Sequence, residues 1–260
     1  MTHYPFPDSR ETKIAFAAFF TAMLFLARDS MFTTAVIGFE KAQFLMLGVI
    51  CLLGVAFLIA NRRNLLQILK DRRMIVVVVS AAVLLLPMLV KRDWQLMYFS
   101  VLLCLLTAVF LSYFLTVREA AKYYVVILSV LGAYSVLAAY ILRIGVDRGA
   151  YAVPVFRNSM GFEFHNFFLS IVPDTYVKNR NFGIFREPGV YQFFLITSLY
   201  LNNYEVEWKR PWQLWLVNGI LAATMVSTFA TGGVAEMGLL AIVLFFDKKW
   251  YRDKRVCAVA

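Results

Sequence analysis

The chain has 260 residues, of which 61% are hydrophobic and only 16% charged, and its mean hydropathy is +0.70. A soluble domain carries about a quarter charged residues, so the composition excludes an ordinary water-soluble globule and points to an integral membrane protein. The net charge of +10 would suggest nucleic acid in a soluble protein. Here the basic residues fall in short connections between apolar runs, where they report orientation instead, and no nucleic-acid partner is expected.

In chain order, apolar runs are expected to form helices at 13–27, 42–60, 74–90, 94–116, 121–143, 189–204, 212–228 and 233–247. Several approach the ~17–25 residues that a bilayer-crossing helix needs. The first run follows Arg10 and Lys13 as a signal peptide would, but it lacks a small-x-small cleavage site and reads as an uncleaved helix. Residues 31–39 are apolar too, yet Arg28, Asp29, Glu40 and Lys41 bracket them, and they read as an external connection. Cys51 and Cys104 lie inside apolar runs and Cys257 in the basic tail, so no disulfide framework is expected. The expected fold is all-α, a polytopic bundle of about eight transmembrane spans with one long outer loop. Residues 1–143 would hold helices one to five, 144–188 the outer loop, 189–247 helices six to eight, and 248–260 a cytoplasmic basic tail.

Charge decides the orientation. If the runs cross alternately, 16 basic residues fall on one side, among them Arg10, Lys13, Arg62, Arg73, Arg118, Lys122, Lys209, Arg210 and Lys254. Only Arg28, Lys41, Lys91 and Arg92 fall in short connections on the other. The positive-inside rule then makes both termini cytoplasmic and turns residues 144–188 outward. That outer connection contains "VFRNSMGFEFHNFFLSIV", whose aromatics suit an interfacial segment lying partly in the headgroup region. Connections this long are usually functional when they are too apolar for disorder.

Several chemistries lack their residues. The sequence has no G-x-x-x-x-G-K-[ST] phosphate loop, no D-x-D pair and no G-x-S-x-G elbow. His3 and His165 belong to no metal-ligand cluster, so neither a metal nor a cofactor is expected. The outer connection closes with "NRNFGIFREPGVYQFFL", from Asn179 to Leu195. Arg180 and Arg186 suit a pyrophosphate at the membrane surface, because guanidinium groups grip phosphate bidentately and stay charged. Gly183 would allow a tight approach between them, and Arg157 would widen the surface. Glu187, Pro188 and Gly189 mark the entry to the sixth helix. The same residues fit a second role equally well, as interface anchors and a helix cap. His165 would serve as a general base or simply pack in the loop. In "STFATGGVAEMGLL", Thr231, Gly232 and Gly233 are expected to make a tight outer turn. Glu236, one turn further, would face a cavity or partner, or else the hydrated interface.

The segment "RNFGIFREPGVY" resembles the R-x-x-G-x-F-x-E-P-G-x-Y stretch of O-antigen polymerases of the Wzy type and the related O-antigen ligase superfamily. The later Ala-Thr-Gly-Gly stretch is similar to that family's Ser-Thr-Gly-Gly turn, with Ala230 in place of the serine. The resemblance implies a glycosyltransferase at the outer face of the bacterial inner membrane. Such an enzyme joins oligosaccharide units carried on undecaprenyl pyrophosphate, in lipopolysaccharide O-antigen or exopolysaccharide synthesis, with the lipid pyrophosphate as leaving group. It implies that Arg180 meets pyrophosphate or developing negative charge, that Gly183, Pro188 and Gly189 shape the entrance, and that Glu187 orients the acceptor or an arginine. Implied partners are the bilayer, the lipid-linked oligosaccharide, and a chain-length regulator or other glycan-assembly proteins. Members of the family are much longer, so a shortened form or part of a larger enzyme is expected. Two other readings remain open: a transporter or flippase for the same substrate, and a non-catalytic membrane partner in a glycan-assembly complex. The transporter predicts charges deep in several helices, where only Glu236 comes close.

Overall fold

Apolar runs bounded by charged residues or proline become helices in the computed structural model, which describes residues 10–26, 30, 72–92, 115–157, 162–174 and 180–248, with isolated helical positions between 41 and 112. The runs expected at 42–60 and 94–116 lie largely outside the described residues. So do the connection 31–39, the tail beyond Lys248, His3 and all three cysteines. The chain divides into two units, Met1–Leu26 with Phe39–Ala120, and Ala27–Gly38 with Ala121–Ala260.

In the first unit, α1 spans Arg10–Leu26 and α2 spans Arg72–Lys91. α1 buries Phe16, Phe19, Leu24 and Leu26. α2 buries Val77 and Met88 but leaves Val76, Val79, Val83 and Leu86 exposed. α3 runs Val117–Asp147. It begins four residues before the expected 121 because Thr116 and Glu119 form a reciprocal capping box. The Thr116 N–H donates to Glu119 Oε2 at 2.8 Å, and the Glu119 N–H donates to Thr116 Oγ1 at 3.2 Å. Near its far end a π turn, Ala138–Leu142, widens the helix.

The second unit holds α3 from Ala121 onward, three strands and three more helices. β1 (Val155–Arg157), β2 (Glu163–Asn166) and β3 (Ile171–Pro173) form an antiparallel sheet in sequence order. Val155 pairs with His165, and Phe164 with Pro173. This corrects the expectation of an all-α fold. The aromatics of the connection cover one another: Phe164, Ile171 and Phe182 form a buried cluster with Phe156 and Phe162 against it. The small side chains of Ala138 and Ala139, in the π turn, admit Phe167 and Val172.

α4 (Pro188–Tyr204), α5 (Pro211–Ser227) and α6 (Thr231–Asp247) follow, the first two starting with proline in the first turn. At one end of this unit Lys122 Nζ lies 5.7 Å from the Trp208 ring centroid and Lys248 Nζ lies 4.8 Å from that of Tyr204. The start of α3, the α4–α5 connection and the end of α6 therefore share that end. The end of α3, the sheet and the starts of α4 and α6 occupy the other.

The protein is mostly helical. Among the described residues, one helix, Val117–Asp147, is long and apolar enough to cross a membrane, with shorter apolar helices at Ile14–Leu26 and Ile75–Val90. α4, α5 and α6 have 17 residues each, a rise of about 25 Å against a hydrocarbon core of about 30 Å.

Buried amides lock α4 to α5. Asn202 Nδ2 donates to Asn218 Oδ1 at 2.9 Å, and Trp208 Nε1 donates to Asn202 Oδ1 at 2.8 Å. Asn203 and Asn218 exchange hydrogen bonds at 3.0 and 3.1 Å. Asn202→Ala leaves Trp208 and Asn218 short of partners and is expected to cost about 1–3 kcal/mol. Thermal unfolding of the purified protein measures it. Trp208→Phe, which removes the donor but keeps an aromatic ring, should cost less.

Candidate functional site

The segment 180–191 alternates between buried anchors and exposed charges. Asn181 is 1% exposed, and its carboxamide uses both of its ends. Oδ1 accepts the Gly183 N–H at 2.9 Å, closing an Asx turn. Nδ2 donates to Ser135 Oγ of α3 at 2.8 Å and to Ser227 Oγ of α5 at 2.9 Å. The Asn181 N–H adds a bond to the Ser227 carbonyl at 3.0 Å, which also accepts from Tyr140 OH at 3.1 Å. One side chain thus ties the loop to two helices. Because the Gly183 carbonyl accepts the Ile171 N–H at 2.6 Å, the loop is tied to β3 as well.

Gly183 has φ +57°, and a Cβ there would stand 2.6 Å from Tyr191 Cε1. The glycine makes room for Tyr191, whose hydroxyl lies 3.1 Å from Ser135 Oγ. Phe182, Ile184 and Phe185 are buried behind the loop, with the Phe185 ring stacked 4.4 Å from that of Phe194. Arg180, Arg186 and Glu187 remain exposed.

Glu187 is the N-cap residue of α4, yet its side chain makes no capping hydrogen bond. Its Oε1 lies 3.6 Å from Arg186 Nε instead. An exposed pair of this kind contributes little stability, but it orients a guanidinium. Pro188 is buried at the first turn of α4, as expected, and a Cβ on Gly189 would meet open space.

The second motif is joined to the first by Gln192. Its Nε2 donates to Thr228 Oγ1 at 2.7 Å and to the Ala230 carbonyl at 2.6 Å. Its Oε1 accepts the Gly233 N–H at 2.8 Å. Ala230 is the N-cap of α6 and has no side chain to cap with; the Gln192 amide, reaching across from α4, takes a first-turn N–H in its place. A Cβ on Gly233 would stand 2.2 Å from Gln192 Cδ, so this glycine admits the amide. Thr231, Gly232 and Gly233 therefore form the first turn of α6. The tight turn expected of them falls instead at Thr228, Phe229 and Ala230. Thr231, Gly232 and Glu236 are exposed along α6.

The remaining site residues of the sheet serve one another. Arg157 Nε donates to Glu163 Oε1 at 2.8 Å, across a β1–β2 register pair, so its charge is committed there. His165 Nε2 lies 3.3 Å from Asp174 Oδ1. Its Nδ1 is buried, with no hydrogen-bond partner among the described residues. His165 therefore faces a carboxylate through one ring nitrogen and is buried at the other. Arg143, buried at the end of the π turn, donates from Nη2 to the Asp174 carbonyl at 3.0 Å and lies 3.4 Å from Asp147 Oδ2. Sequence reasoning passed over Asn181, Tyr191, Gln192 and Arg143. The Asn-x-Gly spacing at 181–183 and an amide three residues inside an apolar run were the available signals.

The arrangement is a rigid platform that presents two guanidinium groups and a carboxylate at the N-terminus of α4, where the helix dipole favours anions. Gly183→Ala should damage it twice. The left-handed backbone costs roughly 1–2 kcal/mol for an L-residue, and the clash with Tyr191 about 1–3 kcal/mol more. The double variant Gly183→Ala/Tyr191→Leu should recover the second part only. Unfolding temperatures of the two variants separate the contributions.

No protein-family model, curated protein or solved structure matches this chain.

Proposed function

We propose that the chain is a multi-pass protein of the bacterial inner membrane that transfers oligosaccharide units linked to undecaprenyl pyrophosphate, as an O-antigen polymerase or ligase does. The single observation that carries the reading is the construction of segment 180–191. The positions of the R-x-x-G-x-F-x-E-P-G-x-Y pattern divide into those that build the platform (Gly183, Phe185, Pro188, Tyr191) and those left exposed on it (Arg180, Glu187, Gly189). A pattern that served packing alone would have no use for the exposed arginine and carboxylate at the same edge.

In this reading an acceptor hydroxyl attacks the anomeric carbon of the donor sugar. The bond from that carbon to the pyrophosphate oxygen breaks, the lipid pyrophosphate leaves with the electron pair, and the hydroxyl proton passes to solvent water. Arg180 meets the charge that grows on the leaving group, in surroundings where low dielectric strengthens the contact. Arg186 supplies a second cation, held by Glu187. Glu187, the exposed carboxylate beside it, orients the acceptor. Thr231, Gly232 and Glu236 border the platform on the α6 side, joined to it through Gln192. Both termini are cytoplasmic and the platform faces outward.

Orientation is tested by reporters active only outside the cytoplasm. Fusions at Asp147 or Asp174 should be active and fusions at Lys70 or Lys254 silent; the reverse pattern would place the platform among cytoplasmic nucleotide sugars and end the proposal. The transfer chemistry is tested at Arg180, in cells that depend on this chain and any segments it works with for polymer. Losing a transition-state contact of this kind costs about 10²–10³ in rate, so Arg180→Ala should nearly abolish polymer at matched protein abundance. Arg180→Lys keeps the charge but loses the planar fork, and should be impaired rather than rescued. Wild-type chain lengths in Arg180→Ala would leave the segment as an interface anchor.

A further inference from the structure

Two phenylalanines depart from backbone preference at the same end of the second unit. Phe168 has φ +72° and Phe229 has φ +48°, a left-handed region where a bulky side chain is an outlier and where glycine or asparagine would rest without strain. Each sits at the tip of a tight turn. The Phe168 N–H donates to Asn166 Oδ1 at 2.9 Å while the Phe167 N–H reaches the Ser170 carbonyl at 2.9 Å. The Phe229 N–H donates to the Val226 carbonyl at 3.1 Å. Burial does not explain the choice of residue, since the two are 77% and 55% exposed.

Both tips flank the charged platform. Ile171, three residues after Phe168, bonds to Gly183, and Ser227, two residues before Phe229, bonds to Asn181. Apolar exposure continues down the helices from Phe229, through Val226 on α5 and Val234 on α6, with Phe193 exposed on α4. Arg180 and Arg186 are exposed at the platform itself. Projecting aromatic rings beside a level of guanidinium groups match the boundary between acyl chains and lipid phosphates.

We infer that Phe168 and Phe229 are lipid-inserting anchors, which set the depth of segment 180–187 in the phosphate layer of the bilayer. The inference rests on the membrane reading and is independent of the transfer chemistry. The strained backbone holds each ring outward from its turn, and the arginines beside them meet anionic headgroups.

The test uses the full chain with Cys51, Cys104 and Cys257 replaced by alanine, reconstituted in vesicles of phosphatidylethanolamine and phosphatidylglycerol. Phe168→Cys, Phe229→Cys and, as an exposed reference on the sheet, Arg157→Cys each carry an environment-sensitive fluorophore. At positions 168 and 229 the emission should shift to the blue. Quenching there should be stronger by nitroxides near the head of the acyl chain than by an aqueous quencher, with the opposite ranking at 157. Aqueous emission at both positions, in protein that floats with the vesicles, would overturn the anchors while leaving the membrane reading intact; protein that does not float would overturn both. A second measurement uses Phe168→Gly/Phe229→Gly, which relaxes both turns and so keeps the fold. A fluorophore at Arg180→Cys should then become more accessible to the aqueous quencher, and unchanged accessibility would also overturn the inference.

Discussion

The second unit depends on one buried carboxamide having all its partners. Asn181 meets a hydroxyl from α3, a hydroxyl from α5 and the backbone of its own loop, so three separately folded pieces of chain must arrive in register for the amide to be satisfied. A buried amide short of a partner is costly, and one with all of them confers geometric uniqueness. An apolar side chain at this position would bury as readily but would accept many loop positions. The loop is therefore fixed in angle as well as in place, and Gly183, Tyr191 and the sheet edge at Ile171 inherit their positions from it.

Charge and polarity are divided between two tasks. Inside the unit, amides and hydroxyls do the joining: Asn181 at one end, Asn202 and Asn218 at the other, and Gln192 between α4 and α6. The sheet adds an ionic version, in which Arg143 spans Asp147 and the backbone of Asp174 while Asp174 faces His165. These groups spend their capacity on the fold. Arg180, Arg186 and Glu187 lie on the outside of the same loop, with Arg186 and Glu187 in a loose pair at 3.6 Å. Rigid support beneath exposed charge is what an electrostatic binding surface requires, because donors held in place need no rearrangement when an anion arrives.

Helices were legible wherever an apolar run had a chemical boundary. Pro188 and Pro211 open α4 and α5 next to the expected starts at 189 and 212, and α2 extends the run at 74–90 by a residue or two at each end. α3 departs from expectation because hydropathy alone ignores the Thr116–Glu119 capping box, which recruits the charged residues Arg118 and Glu119 into the first turn. The sheet was missed for a similar reason. Its aromatics were read for their affinity to an interface, whereas pairing one strand's Phe156 against the next strand's Phe164 lets them cover each other. At the site, charged residues drew attention to Arg180, Glu187 and Glu236, while the organising residues are neutral amides. Their roles became visible only through contacts separated by 36 to 46 positions, a distance no local pattern spans. Ala230 illustrates the gap: it looks like a lost capping serine, and the lost cap is replaced from a different helix.

The amides of α4 bear on how the protein is made. Gln192 finds its acceptors and donor at Thr228, Ala230 and Gly233, and Asn202 finds its partners at Trp208 and Asn218, all of them later in the chain. When α4 leaves the ribosome none of these partners yet exists, so its amides find no protein partner until α5 and α6 emerge. The three helices therefore acquire their hydrogen-bonded packing together, in a single late step rather than helix by helix.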